Sequence, residues 1–241
     1  MACILNLETS TAVCSAALAA DGAVVFEKVS FDGPSHAVLL GVYVEEALRA
    51  MKERGLKLDA VAVSSGPGSY TGLRIGVSVA KGLCFGLGIP LLGIPTLDIL
   101  ATSAAARAEA GAGDRYCAML DARRMEVYSA VYDASLRPVR DTMAEVVTAD
   151  TYASYLENGR VYFFGNGAAK CRSVITSPSA VFIDEVYPTA SAMASLSEEA
   201  FRVGRVEDVA YFEPFYLKEF QATIAKNKVL DDAINQGRLG N

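Results

Sequence analysis

The strongest chemical signal in the chain is the run Ser64-Ser65-Gly66-Pro67-Gly68-Ser69-Tyr70-Thr71-Gly72-Leu73-Arg74-Ile75-Gly76. Glycines let a turn bring backbone amides close to an anion, and a helix starting just after them adds the positive end of its dipole. A phosphate cradle is therefore one reading, and a structural strand-to-helix turn is the plainer one. The run is no Walker loop, because it reaches Gly72 without the Lys and Ser/Thr such loops use. It is no dinucleotide fingerprint either, since Thr71 stands where a third glycine is required.

Three further polar turns belong to the same question. Glu8-Thr9-Ser10-Thr11 follows an apolar run, and Asp121-Ala122-Arg123-Arg124 and Gly165-Asn166-Gly167 end two later ones. Ligands of α/β proteins gather at such strand ends, so Glu8, Thr9, Ser10, Thr11, Gly66, Gly68, Ser69, Asp121, Gly165 and Gly167 form the candidate pocket. Each turn taken alone reads as an ordinary polar connection. A serine hydrolase is a poor fit: no Gly-x-Ser-x-Gly is present, and His36 is the one histidine. A single imidazole also excludes His-rich zinc sites. No metal site is expected.

Gly68, Gly72, Gly76 and Ala80 recur every four residues, which lines small side chains along one helix face. Such a face serves close packing on the chain's own sheet or close packing against another subunit, and spacing does not choose between them.

The elements that position these residues follow from the apolar pattern. Strands are predicted over 2–7, 12–18 and 23–31, the last two joined at Asp21-Gly22. A helix capped by Ser35 is predicted over 36–54, then a strand over 58–64, a helix over 72–88, a strand over 89–94 and a helix over 95–110. After the turn at 111–114 the grammar returns: strands over 116–121, 125–133, 139–147, 161–164 and 180–186, with helices over 149–157, 168–175 and 191–203. Two halves each built as a meander followed by helix and strand predict an α/β fold with an internal duplication. Val38, Leu39, Leu40, Val42, Val44, Ala47, Leu48 and Met51 cover more than one face of the first helix, which points to a second contact surface.

Composition bounds the function. The chain has 241 residues, 52% of them hydrophobic, and no apolar run reaches the ~18 residues of a spanning helix. With a mean hydropathy of +0.27, the apolar excess must enter cores or a partner interface. A net charge of −6 argues against a protein that grips nucleic acid alone. Cys3, Cys14, Cys84, Cys117 and Cys171 are odd in number and lack a Cys-x-x-Cys pair, so they are expected to be reduced core residues of a cytoplasmic protein. No basic segment precedes the first strand, so no signal peptide is expected.

Ile4-Leu5-Asn6-Leu7-Glu8-Thr9-Ser10-Thr11, the His36 helix, the 66–76 run, Pro95-Thr96-Leu97, Asp121-Ala122-Arg123 and Pro214-Phe215-Tyr216-Leu217 together resemble the TsaB (YeaZ) family across nearly the whole chain. Glu8 departs from it, since the family more often carries Asp there. The resemblance implies an actin-like (ASKHA, ribonuclease H-like) fold with subdomains over 1–110 and 111–217 and a polar tail over 218–241. It implies a bacterial subunit for threonylcarbamoyladenosine synthesis on tRNAs that read ANN codons, acting as the non-catalytic partner of the paralogous transferase TsaD. Two metal-binding histidines of that paralogue align with Thr96 and Leu100 here. The implied interface is His36, Leu40, Tyr43, Ala47, Gly72, Gly76, Val79, Ala80 and Leu83, used with TsaD and, in isolation, in a homodimer. The ATPase TsaE is a further implied partner, tRNA is reached only through the complex, and no membrane is involved. No cofactor is implied beyond weak ATP or ADP binding in a vestigial pocket. The rival from another class is a stand-alone actin-like ATPase or a glycoprotease-type peptidase.

Overall fold

Strands β1 (Cys3–Glu8) and β4 (Ala60–Gly66) are buried along almost their whole length and pair in parallel, an arrangement that needs cover on both faces of a sheet. The computed structural model, which describes residues 2–33 and 35–217, supplies that cover. β2 (Cys14–Ala20) and β3 (Ala23–Ser30) continue antiparallel from β1, and β5 (Leu91–Pro95) adds in parallel beyond β4, giving the order β3-β2-β1-β4-β5. On one face lie α1 (His36–Glu53) and α2 (Tyr70–Leu87), closing a core that includes Leu5, Leu7, Leu40, Val44, Val61 and Val77.

The second sheet repeats the plan. β6 (Arg115–Asp121), β7 (Glu126–Tyr132) and β8 (Pro138–Val146) form the meander; β9 (Val161–Phe164) and β10 (Ala180–Ile183) follow in parallel, in the order β10-β9-β6-β7-β8. The expected duplication is present as this shared topology.

The two halves exchange helices. α3 (Thr96–Ala105) starts where β5 ends, yet Leu97, Leu100, Ala101 and Ala104 pack against Tyr116, Ala118 and Phe164 of the second sheet. In return α6 (Ala194–Arg202) and the Met193 that precedes it lay Ala200 and the Met193 side chain on Ile4, Ala60, Ala62 and Leu92 of the first sheet. The chain from Ala190 to Phe215 stays there. Ala190 N–H donates to Ser15 Oγ at 2.9 Å, and Glu207 N–H and Phe215 N–H donate to the carbonyls of Leu91 and Ser65 at 2.8 and 2.7 Å. Lys81 Nζ holds this segment through the carbonyls of Ala210 and Phe212 at 3.0 and 3.1 Å. The expected division at 111–217 is therefore corrected: the second sheet ends its subdomain before Ala190, and the remainder returns to the first.

Local differences have local causes. The helix expected over 149–157 is the single turn α4 (Ala153–Leu156), because Thr148 and Thr151 bond each other's side chains and backbone, at 2.8 and 3.0 Å, instead of entering a helix. The helix expected over 168–175 is likewise one turn, α5 (Ala168–Cys171). Ser35 flanks α1 but does not cap it, since its hydroxyl donates to Gly33 O at 3.3 Å. Ser69 does cap α2, accepting from Gly72 N–H at 3.3 Å. All five cysteines are buried and free. Among the described residues no helix is long and apolar enough to cross a membrane. The tail expected over 218–241 lies outside the described residues.

Candidate functional site

The parallel register of β1 and β4 carries Glu8 to the carboxyl edge of the first sheet, beside Ser64. Glu8 is fully buried, and its Oε1 accepts from Ser10 N–H at 2.5 Å. Burial pushes its carboxyl up to about 7, against the opposing effect of the Ser10 hydrogen bonds. Asn6 Oδ1 and Thr96 Oγ1, also buried, have no hydrogen-bond partner among the described residues.

The glycine-rich turn closes over this edge. Ser69 N–H, the type of donor an anion would take, gives its hydrogen bond to Ser10 O at 2.6 Å. A Cβ on Gly68 would lie 2.8 Å from Ser10 Cβ, one on Gly72 would strike Thr9 O, and one on Gly76 would strike Thr9 Oγ1. Thr9 Oγ1 in turn donates to Gly72 O at 2.8 Å. The small-residue ladder thus seats α2 on its own first strand and turn. Its reading as a partner-facing ridge is overturned, because Thr9 and Ser10 occupy the space the missing side chains leave. His36 belongs to the same seam: it is buried, with Nε2 bonded to Thr11 O at 2.8 Å.

The matching edge of the second sheet is equally tight. Asn166 Oδ1 accepts from Asp121 N–H at 2.9 Å, and Asp121 forms an ion pair with Lys170. At Gly165, φ is +93°, and an added Cβ would lie 2.6 Å from Leu100 Cδ2 and against Met119 O. At Gly167 it would meet Leu120 C at 2.8 Å. Both glycines serve chain-on-chain contact, and the fully buried Leu100 fills the floor between the halves.

The structure therefore brings Glu8, Thr9, Ser10, Thr11, Gly66, Gly68 and Ser69 together on one edge, with Asp121, Gly165 and Gly167 on the other, and packs the glycines of each edge against the chain's own backbone and side chains. A cavity of about 180 Å³ lies beside Gly165 and Asn166 but is lined mainly by Phe182, Asp184, Glu185 and Tyr187. Another, of about 290 Å³, sits at Arg115, Tyr155 and Asn158, away from the candidate residues. Among the described residues no three His, Cys, Asp or Glu side chains are grouped to hold a metal ion.

The expected interface needs correction as well. His36, Leu40, Ala47, Gly72, Gly76 and Ala80 are buried within the chain's own core, and Tyr43, Val79 and Leu83 are half-buried. The side chains α1 and α2 turn outward are different. Val38 is 73% exposed and Phe85 86%, and Val42, about one turn on from Val38, is exposed as well. Cβ atoms added at Gly41, Gly82 and Gly86 would meet nothing within 4 Å. The helical period held this signal: Val38 and Val42 stand nearly opposite Leu40 and Val44 on the wheel.

Comparisons with known proteins agree with this geometry. The family model described as TsaD, tRNA N6-adenosine threonylcarbamoyltransferase, matches residues 24–226. The tRNA threonylcarbamoyladenosine biosynthesis protein TsaB of Haemophilus influenzae is 31% identical over 228 residues, which cover 89% of this chain and 93% of the relative. The protein of the same name from Escherichia coli is 29% identical over 89% of this chain and 94% of its own length. Among solved structures, YeaZ from Pseudomonas aeruginosa superposes with a TM-score of 0.73 at 30% identity, over 90% of this chain and 100% of that one. These matches run through both sheets and the glycine-rich turn alike, and on them the chain belongs to the TsaB (YeaZ) family of tRNA threonylcarbamoyladenosine biosynthesis proteins, with its two-subdomain actin-like fold.

Proposed function

We propose that this chain is the non-catalytic subunit of its tRNA-modifying complex, and that it works by pairing with a TsaD-type transferase through the outward face of α1 and α2. The observation that carries this reading is the closed glycine-rich turn together with the buried Leu100. Ser10 O takes the amide of Ser69, and Leu100 is fully buried against Gly165; the family resemblance implies that Thr96 and Leu100 stand at the two positions where the paralogue carries metal-binding histidines. A hydroxyl and an isobutyl group at positions 96 and 100 cannot replace two imidazoles on a transition metal.

What the chain offers instead is surface. Burying a side chain such as Phe85 or Val38 against a partner is worth roughly 1.5–3 kcal/mol. Mid-helix glycines cost a free helix about 1 kcal/mol each, a cost that close helix-to-helix approach can offset. In isolation the same face supports a homodimer. A TsaE-type ATPase acts on the assembled pair, and the acidic chain leaves most of the grip on tRNA to its partner. The setting is the cytoplasm, where tRNA is modified.

The test combines the purified transferase with threonylcarbamoyl-AMP, tRNA, ATP and the TsaE-type ATPase, with and without this chain. Modification is expected to require the chain. Phe85→Asp is expected to abolish co-elution with the transferase while shifting the melting temperature by less than ~2 °C. Equal modification without the chain sinks the proposal, and unchanged co-elution of the variant rules out this face. Calorimetric titration with ATP and ADP separates the rival enzyme: tight saturable binding with turnover by the lone chain would establish an ATPase.

A further inference from the structure

The hairpin between β6 and β7 turns through Ala122, Arg123, Arg124 and Met125. Its base is fixed by two backbone hydrogen bonds, Ala122 N–H to Glu126 O and Glu126 N–H to Arg123 O, each 3.1 Å. Both arginines are exposed, and both hold left-handed backbone, with φ of +71° and +50°. That conformation costs a residue with a Cβ roughly 1 kcal/mol or more, and Asn or Gly would adopt it with less strain. Two successive arginines at such positions work against local stability.

Their charges are also unspent. Arg49, Arg137, Arg140, Arg160, Arg172 and Arg202 each pair with a carboxylate of this chain. Among the described residues neither the Arg123 nor the Arg124 guanidinium has a hydrogen-bond or ion-pair partner, although carboxylates lie close in sequence. Asp121, beneath the tip, is neutralised by Lys170. A chain of net charge −6 therefore presents a locally positive point at the end of a paired hairpin.

We infer that the Arg123-Arg124 tip is a direct contact for the phosphate backbone of the RNA substrate. This rests on the proposal that the complex modifies tRNA, and it narrows the expectation that tRNA is reached only through the partner. Guanidinium forks bind phosphate bidentately, and Cα atoms about 3.8 Å apart let two long side chains diverge toward neighbouring phosphates. The hairpin fixes the backbone from which the two side chains extend, so only the side chains have to be ordered on binding. An acidic protein face is the other polyanion such a tip could meet, and the experiment separates the two.

The experiment measures tRNA binding by the assembled complex of this chain and its transferase partner, at low and moderate salt. It compares the wild type with Arg123→Asn/Arg124→Gly and with the double lysine variant. The Asn/Gly variant is expected to bind tRNA about three- to tenfold more weakly and to lose about 0.9 from the salt slope for each phosphate contact removed. It should melt at or above the wild-type temperature, so the loss is not one of folding. The lysine variant should keep most of the salt dependence. Unchanged affinity and slope in the Asn/Gly variant overturn the inference. So does impaired co-elution with the transferase, which would assign the tip to a protein. Failure of the wild-type chain to stimulate threonylcarbamoyl transfer would strike the proposed function alone, since the binding comparison still decides the arginine contact.

Discussion

In the first sheet the strands bury Ala16, Ala17, Ala19, Ala60 and Ala62, and two helices of 18 residues lie across one face. In the second, Tyr116, Tyr132, Phe163 and Phe164 occupy the corresponding strands, and α4 and α5 have four residues each. Aromatic mass closes the second half from within: Tyr152 packs edge-on against Phe163 at 5.2 Å, and Phe163 stacks on Phe182 at 5.2 Å. Small residues do the opposite in the first half, drawing helix backbones onto the sheet and leaving their far sides unused. The strand ends differ in the same sense. β1 ends in the buried Glu8, whereas β6 ends in Asp121, exposed and paired with Lys170. One topology thus yields a half packed around large aromatic side chains and a half whose two long helices leave apolar side chains facing outward.

The harshest test of this contrast is Gly76→Val. Its Cβ would collide with Thr9 Oγ1 and lie 3.4 Å from Val63 Cγ2, so β1 and α2 must separate. The expected loss is about 3 kcal/mol or more, read from urea denaturation. A loss below about 1 kcal/mol would mean that the helix is not seated as tightly as the contrast requires.

Glu8→Gln comes next. The folded carboxyl titrates at about 7, against about 4.3 when unfolded. Between those values the folded state keeps a proton that the unfolded state has released. The associated stability is complete below about pH 4 and is lost as pH rises through 7. The glutamine variant should therefore match the wild type near pH 4 and exceed it by about 1–3 kcal/mol at pH 8, in urea denaturation across that range. A constant difference at all pH values would remove Glu8 from the contrast with Asp121.

The smallest effect belongs to Gly82→Ala on the outward face. With nothing within 4 Å of the added Cβ, the isolated chain should gain about 0.5–1 kcal/mol while its affinity for the transferase falls. A stabilised chain that binds as before would show that Gly82 is not a point of close approach.

Much of the fold was legible because its punctuation is local. Asp21-Gly22, Gly55, Gly88 and the 111–114 turn end elements wherever the rest of the chain goes. The return of α6 to the first sheet was not, since only the meeting of Met193 with Ile4, far away in sequence, decides it. The candidate pocket was legible as a gathering of residues on two strand edges. The closing of the Ser69 amide onto Ser10 was not, because Ser10 supplies a carbonyl oxygen, an atom every residue has. The small-residue ladder misled for a related reason: four-residue spacing marks a face, and the neighbour on that face is set by Thr9. The 66–76 run, by contrast, pointed to the family by its length and order alone.

Leu100 also bears on which substitutions the chain can accept. Positions 96 and 100 both lie inside the core, and Leu100 Cδ2 already stands where a Cβ on Gly165 would have to go, so a bulkier side chain at 100 would press on that turn. Any substitution at position 100 must therefore be accommodated by the Gly165 turn of the second sheet as well as by α3 itself, which ties the end of the first half to the edge of the second.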